Sequence, residues 1–189
     1  MTKQRLYARS LLLIIFLVFF AGAIYVSYSL SRNDVVQELV ANLGYLGALL
    51  TGLIAGLNNI APIPAATFTP VFVAAGFSLP SIILAFTLGT IMADLVGYFF
   101  GHASRELVKN RYPDTFQFFT RLKTEHSKFI VPIVILYVAF VPFPNEVIII
   151  PLALSGVRLS KLLLPLVLGN LLNQTLLVYG YNSFFNWLF

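Results

Sequence analysis

From Leu43 to Gly101 the chain carries a single charge, Asp94, in an apolar run far too long to be one helix. Two punctuation points divide the run. Asn58-Asn59-Ile60-Ala61-Pro62-Ile63-Pro64 and Gly76-Phe77-Ser78-Leu79-Pro80 combine missing amide donors with proline sterics, which stop a helix. The sequence predicts helical pieces at 43–58, 65–76 and 81–101. A helix that crosses a bilayer needs about 20 residues. The third piece reaches that length. The first two are short for a crossing, and joined at the Asn-Asn-x-Ala-Pro-x-Pro break they are expected to form a re-entrant hairpin. Broken backbone at membrane depth is tolerated where protein or a wet cavity satisfies its polar groups.

The same pattern returns further along. An apolar limb runs from Phe129 to Val141, breaks at Pro142-Phe143-Pro144-Asn145-Glu146, continues to Ser155-Gly156, and is followed by an apolar stretch from Leu159 to Tyr181. At an offset of 80 and without gaps, Pro62 and Pro64 fall on Pro142 and Pro144. Gly76, Leu79, Leu84, Leu88 and Gly89 fall on Gly156, Leu159, Leu164, Leu168 and Gly169 at the same offset of 80. Leucine matches come cheaply in such a chain, but two prolines and two glycines at their own spacing point to an internal duplication.

With 59% apolar and 10% charged residues, the composition lies outside the soluble range. The first apolar stretch, Leu11 to Leu30, follows Lys3, Arg5 and Arg9, as a signal peptide does. Its length suits a spanning helix, and Tyr25-Val26-Ser27-Tyr28-Ser29 is a poor cleavage site, so an uncleaved anchor is expected. The formal charge of +5 does not mark a nucleic-acid binder, because the basic residues flank apolar stretches. With the N-terminus in the cytoplasm, eleven of the twelve Lys and Arg residues are cytoplasmic and only Arg32 is not, as the positive-inside tendency favours. The two repeats then have opposite orientation, a recurring transporter plan.

The expected fold is an all-α integral membrane protein, an inverted repeat with two opposed re-entrant hairpins plus three to four spanning helices. Its parts are an anchor and external linker (1–42), repeat 1 (43–101), a cytoplasmic amphipathic connector (102–128) and repeat 2 (129–189). Phe116, Phe118, Phe119 and Leu122 interrupt the charged connector, which either lies on the membrane surface or is a solvated link.

A carboxylate at membrane depth costs a few kcal/mol and needs a partner, water or a proton. Glu146 stands where the returning half-helix should begin, directly after Asn145, a good N-cap residue. The break at Pro62 and Pro64 starts another half-helix, so two positive helix ends would meet near the middle, a setting that suits a phosphate headgroup. Protonation of Glu146 would free those ends for an anion; the alternative is a glutamate that merely fixes the break. Asp94 falls on Gln174 in the repeat, and Asn170 and Asn173 extend a polar strip, for a proton relay, substrate contact or an interhelical hydrogen bond. Arg158 and Lys161, just after Gly156, snorkel to lipid phosphate, with pairing to a carboxylate the alternative for Arg158. Asn58 and Asn59 line the cavity or cap the first break. His102 and His126 belong to the connector without a special role, and Trp187 fits an interfacial anchor. The absence of cysteine removes disulfides and thiolate sites, and two histidines are too few for a histidine metal centre. With no nucleophile and base pair, metal cluster or phosphate loop, neither an enzyme nor a cofactor is expected.

Pro62-Ile63-Pro64, then Ala75-Gly76, then Ala93-Asp94-Leu95-Val96-Gly97-Tyr98-Phe99-Phe100-Gly101-His102, followed by the second proline break and Ser155-Gly156, resemble the DedA, or VTT (SNARE-associated Golgi protein), superfamily from about residue 43 to 181. The stretch around Asp94 is similar to that family's acidic-x-x-Gly-Tyr-x-x-Gly-Arg signature. The resemblance implies opposed re-entrant hairpins and movement of phosphate-bearing lipids, either polyprenyl phosphates or phospholipids. This chain departs from the family in having Ala65 and Ala66 where a Glu usually follows the first Pro-x-Pro, and His102 for the usual Arg. Arginines common around the second break are replaced by Phe140, Val141 and Asn145.

The leading expectation is a flippase or scramblase of such lipids in the cytoplasmic membrane of a prokaryote. It would be coupled to protons, with lipid headgroups as partners and a homo-oligomer compatible with the sequence. The alternatives are a proton-coupled exporter of a small solute and a non-transporting scaffold that binds partners through the connector.

Overall fold

The computed structural model describes residues 18, 21–57, 63–125 and 127–188. Residues 1–17, Asn58, Asn59, Pro62 and His126 lie outside that set, and with them the start of the anchor and most of the first proline break. The described residues form helices without a strand. After a helical segment at 21–31 come α1 (Asp34–Leu57), a 3-10 turn (Ala65–Phe68), α2 (Thr69–Ala74), α3 (Leu79–Ala103), α4 (Arg105–Arg111), α5 (Pro113–Glu125), α6 (Ile130–Phe140), α7 (Glu146–Leu154) and α8 (Leu159–Leu188). Three of these, α1, α3 and α8, are long and apolar enough to cross a membrane.

The first limb is longer than its apolar run. Asn33 accepts the Val36 amide at 3.2 Å, Asp34 sits in the positive first turn, and the helix therefore starts inside the polar interval rather than at 43. Gly44 (φ 60°, ψ −144°) kinks it, leaving 45–57 as a straight piece of about 20 Å. The expected limbs at 81–101, 129–141 and 159–181 become α3, α6 and α8 with modest shifts, and the connector becomes α4 and α5, led by Pro113 at a position where its missing amide costs nothing.

Close approach of backbones holds the first half together. A methyl on Gly52 of α1 would lie 2.6 Å from the Phe86 carbonyl oxygen of α3, and one on Gly56 would lie 2.6 Å from the Ala93 Cβ. Gly52 and Gly56 form the small-x-x-x-small strip that lets membrane helices pack backbone to backbone. From the other side, Gly89 of α3 abuts the Leu49 carbonyl and the Leu53 amide. In the second half Gly169 of α8 packs on Val138 and the Ile135 carbonyl of α6.

Other features also recur eighty residues apart. Gly76 (φ 91°) and Gly156 (φ 77°) both end a short helix in the left-handed region, which glycine reaches without steric cost. Around the first, the Gly76 and Phe77 amides bond to Val73 and Phe72; around the second, the Gly156 and Val157 amides bond to Ala153 and Leu152. Both are Schellman-type caps, and each is followed at once by a long helix.

The long helices serve two cores. Ala48, Phe72, Ile82 and Phe86 pack with Val178, from far along α8. Val134, Ile149, Leu162 and Leu166 pack with Tyr98, from far along α3. Of the long helices, α3 and α8 each begin in the core of their own half and end in the other's.

Candidate functional site

The structure joins four of the singled-out polar residues near the middle of α3. Asp94 is 2% exposed and Asn170 3%. The Asn170 amide donates to Asp94 Oδ2 at 2.6 Å and the Asn145 amide donates to Asp94 Oδ1 at 3.0 Å. Asn145 also donates to Asn170 Oδ1 at 3.3 Å, and Asn170 to the Leu166 carbonyl at 3.0 Å. One carboxylate thus ties α3, α8 and the start of α7. Both of its oxygens are met by neutral amides, so no cation is recruited to hold it.

The fourth member is Glu146, the first residue of α7. It is 9% exposed, and its Oε2 is buried without a hydrogen-bond partner. Gly97 makes room for it: a methyl there would lie 3.1 Å from Glu146 Cγ. An acceptor that is buried and unsatisfied at a helix start is costly, and such groups call for a functional account.

The break that delivers Glu146 follows from its prolines. The Val141 amide makes the last bond of α6, to Tyr137 at 2.9 Å, and Val141 is extended. Residues 141–145 are non-helical, with Pro142 and Phe143 exposed. The Pro144 carbonyl accepts the Val147 amide at 3.2 Å and the Tyr137 hydroxyl at 3.3 Å, which pins the turn to α6. Asn145 occupies the N-cap position but its side chain makes no capping bond. This corrects the expectation from its type: the side chain is turned so that its amide nitrogen donates to the buried Asp94 carboxylate, which draws its Oδ1 away from the N–H groups of the first turn.

Other expected site residues fall elsewhere. Gln174 is buried on α8, yet its Oε1 has no partner and it does not join Asp94. Asn173 donates to the Ala139 carbonyl at 3.0 Å, tying α8 to α6. Pro64 precedes the 3-10 turn, whose Ala65 and Ala66 are fully covered. Arg158 is exposed and forms no ion pair with either carboxylate among the described residues, so that alternative is corrected. The reason is Tyr98: one turn along α3 from Asp94, its hydroxyl donates to the Val157 carbonyl at 2.9 Å, so Arg158 begins beyond its ring. His102 stands outside the cluster, stacked on Tyr98 at 6.1 Å, and Trp187 is exposed beside Phe184.

Two contacts escape sequence reasoning. Lys123 Nζ donates to the Ser155 and Gly156 carbonyls at 3.1 and 2.9 Å, capping α7 from the connector. The Arg105 guanidinium lies against Gly156, so closely that a methyl there would sit 3.0 Å from its carbon. Comparison of the whole chain with protein-family models, curated proteins and solved structures finds no match in any of the three.

Proposed function

We propose that this chain is a membrane transporter of phosphate-bearing lipids, built as an inverted repeat in which α6 with α7, and α1 with α2, are opposed re-entrant hairpins. The duplication is supported by the glycines, caps and helix contacts that recur eighty residues apart. The observation that carries the functional reading is the cluster of Asp94, Asn145 and Asn170 with Glu146 at a broken helix, polar groups placed inside an otherwise apolar bundle. Such groups in a membrane bundle mark substrate or proton paths by default. A lipid is favoured over a small solute by the exposed Phe140 and Phe143 beside the break, where acyl chains have access. The resemblance to the DedA superfamily and the cytoplasmic bias of the basic residues support a cytoplasmic-membrane setting in a prokaryote, with the N-terminus inside.

Transfer of a fluorescent phosphate-bearing lipid between leaflets of reconstituted vesicles tests this. Glu146→Gln and Asp94→Asn should each lower the rate at least tenfold at unchanged protein insertion. Wild-type rates in both variants would refute a role for the cluster. Transfer of a small solute with no lipid movement would favour the exporter, and loss of function only on altering α5 would favour the scaffold.

A further inference from the structure

Away from the Asp94 cluster, at the end of the bundle where the connector meets α7 and α8, lies a groove of about 630 Å³. Lys123, Arg158 and Lys161 line it together with the hydroxyls of Thr124, Ser127 and Ser160. Among the described residues no carboxylate lines it. The ion pair of Lys109 with Glu106, at 3.8 Å, is outside it.

The cations are built in to different degrees. Lys123 spends two donors on the Ser155 and Gly156 carbonyls and keeps a third. Lys161 Nζ donates to the Ser127 carbonyl at 3.2 Å and keeps two. The Arg158 guanidinium has no hydrogen bond or ion pair among the described residues and keeps its whole fork, the geometry that grips phosphate oxygens in pairs. Three positive charges around one groove repel one another, and an anion relieves that repulsion.

The groove also has an apolar exit. Its floor includes Ile130, the first residue of α6. From there Phe129, Ile133, Leu136 and Phe140, spaced four, three and four apart, form an exposed stripe along one face of α6 that ends at the proline break. A headgroup held by the cations would leave its chain along that stripe.

We infer that this groove binds a phosphate monoester, the headgroup of a lipid whose chain lies along α6 or a soluble phosphate ester. The inference deepens the lipid-transport reading by giving it a waiting site, but the groove can bind whether or not lipids cross. The test uses the full chain in detergent. Native mass spectrometry measures retention of phosphatidic acid against phosphatidylcholine, and calorimetry measures binding of glycerol 3-phosphate. Wild-type protein should retain phosphatidic acid preferentially, and Arg158→Gln with Lys161→Gln should lower its affinity about tenfold or more, with Lys109→Gln, which removes a cation outside the groove, leaving it unchanged. Glycerol 3-phosphate binding with the same loss assigns a soluble ester; binding of the lipid alone assigns the headgroup. Equal retention of the two lipids without glycerol 3-phosphate binding, or full affinity in the double variant, overturns the inference. If the double variant does not fold, Arg158→Glu, at an exposed side chain that holds nothing, gives the same reading. Intact groove binding together with no lipid transfer by the wild-type chain would remove the transport reading and leave this one standing.

Discussion

Alanine at Gly89 and alanine at Gly169 should differ sharply although the two positions correspond. At Gly89 the new methyl meets the Leu49 carbonyl oxygen, the Leu53 amide nitrogen at 2.6 Å and the Gly52 carbonyl carbon at 2.8 Å, all backbone of α1. Backbone cannot rotate away, so α1 and α3 must part by roughly 1 Å, a gap that forfeits a quarter to a half of each dispersion contact. Overpacking of this kind costs about 1–3 kcal/mol and occasionally more. The interface here runs the length of α1 through Gly52 and Gly56, and the upper end applies. Removing a glycine from a helix returns about 1 kcal/mol. The net loss for Gly89→Ala is therefore about 2 kcal/mol or more. At Gly169 the nearest atoms are the Val138 Cβ and Cγ1 at 2.8 and 2.9 Å, with the Ile135 carbonyl at 3.3 Å. There the Val138 Cβ is fixed by the α6 backbone, so α6 and α8 must also part, but at one side chain rather than along a backbone; the lower end of the overpacking range applies and the glycine term offsets most of it. Fluorescence-detected size exclusion of heated, detergent-solubilised protein reads the difference. At about 2–4 °C per kcal/mol for a chain of this size, Gly89→Ala should lose roughly 4–8 °C and Gly169→Ala less than 3 °C. Gly180→Ala, with open space around it, should lose nothing and serves as reference. Equal shifts at 89 and 169, or a stabilised Gly89→Ala, would refute backbone contact as the determinant.

Two further outcomes follow from the same geometry. Asn170→Ala removes the 2.6 Å bond to Asp94 and should cost about 1.5–3 kcal/mol if the carboxylate is charged, against about 0.6 kcal/mol for Asn173→Ala, whose bond ends on the Ala139 carbonyl; a reversed order in the heating assay would sink the assignment of Asn170 as the main support of Asp94. Gly156→Ala forces a left-handed non-glycine residue, costing about 1–2 kcal/mol, and also displaces the Arg105 guanidinium, whereas Gly76→Ala meets open space and should show the first cost alone; matching midpoints for the two would count against the Arg105 contact.

What could be read in advance was local or periodic. Pro142 and Pro144 predict the end of α6 because a missing donor acts within four residues, and Gly76 and Gly156 mark helix ends because few other residues tolerate that backbone. Gly52 and Gly56 were not singled out in the sequence, since nothing in their spacing names α3 as the partner. Asn145 was legible as a residue at a helix start but not in its bonding, since its acceptor lies 51 residues away. Arg158 invited pairing with a carboxylate because charge is visible in sequence while the intervening Tyr98 ring is not. Lys123 was the least legible, because the carbonyls it caps are presented only once Gly156 turns left-handed.

The exchange of helix ends between the two cores has a consequence for synthesis. Asp94 leaves the ribosome 76 residues before Asn170, the partner at 2.6 Å, and 51 before Asn145. At about 5–20 residues per second, its carboxylate waits roughly 3–10 s for Asn145 and roughly 4–15 s for Asn170 on α8. During that interval α3 is complete but its polar face has nothing to meet. Until then a proton or water must stand in for its amide partners, and α3 gains its final polar contacts only when the second half arrives.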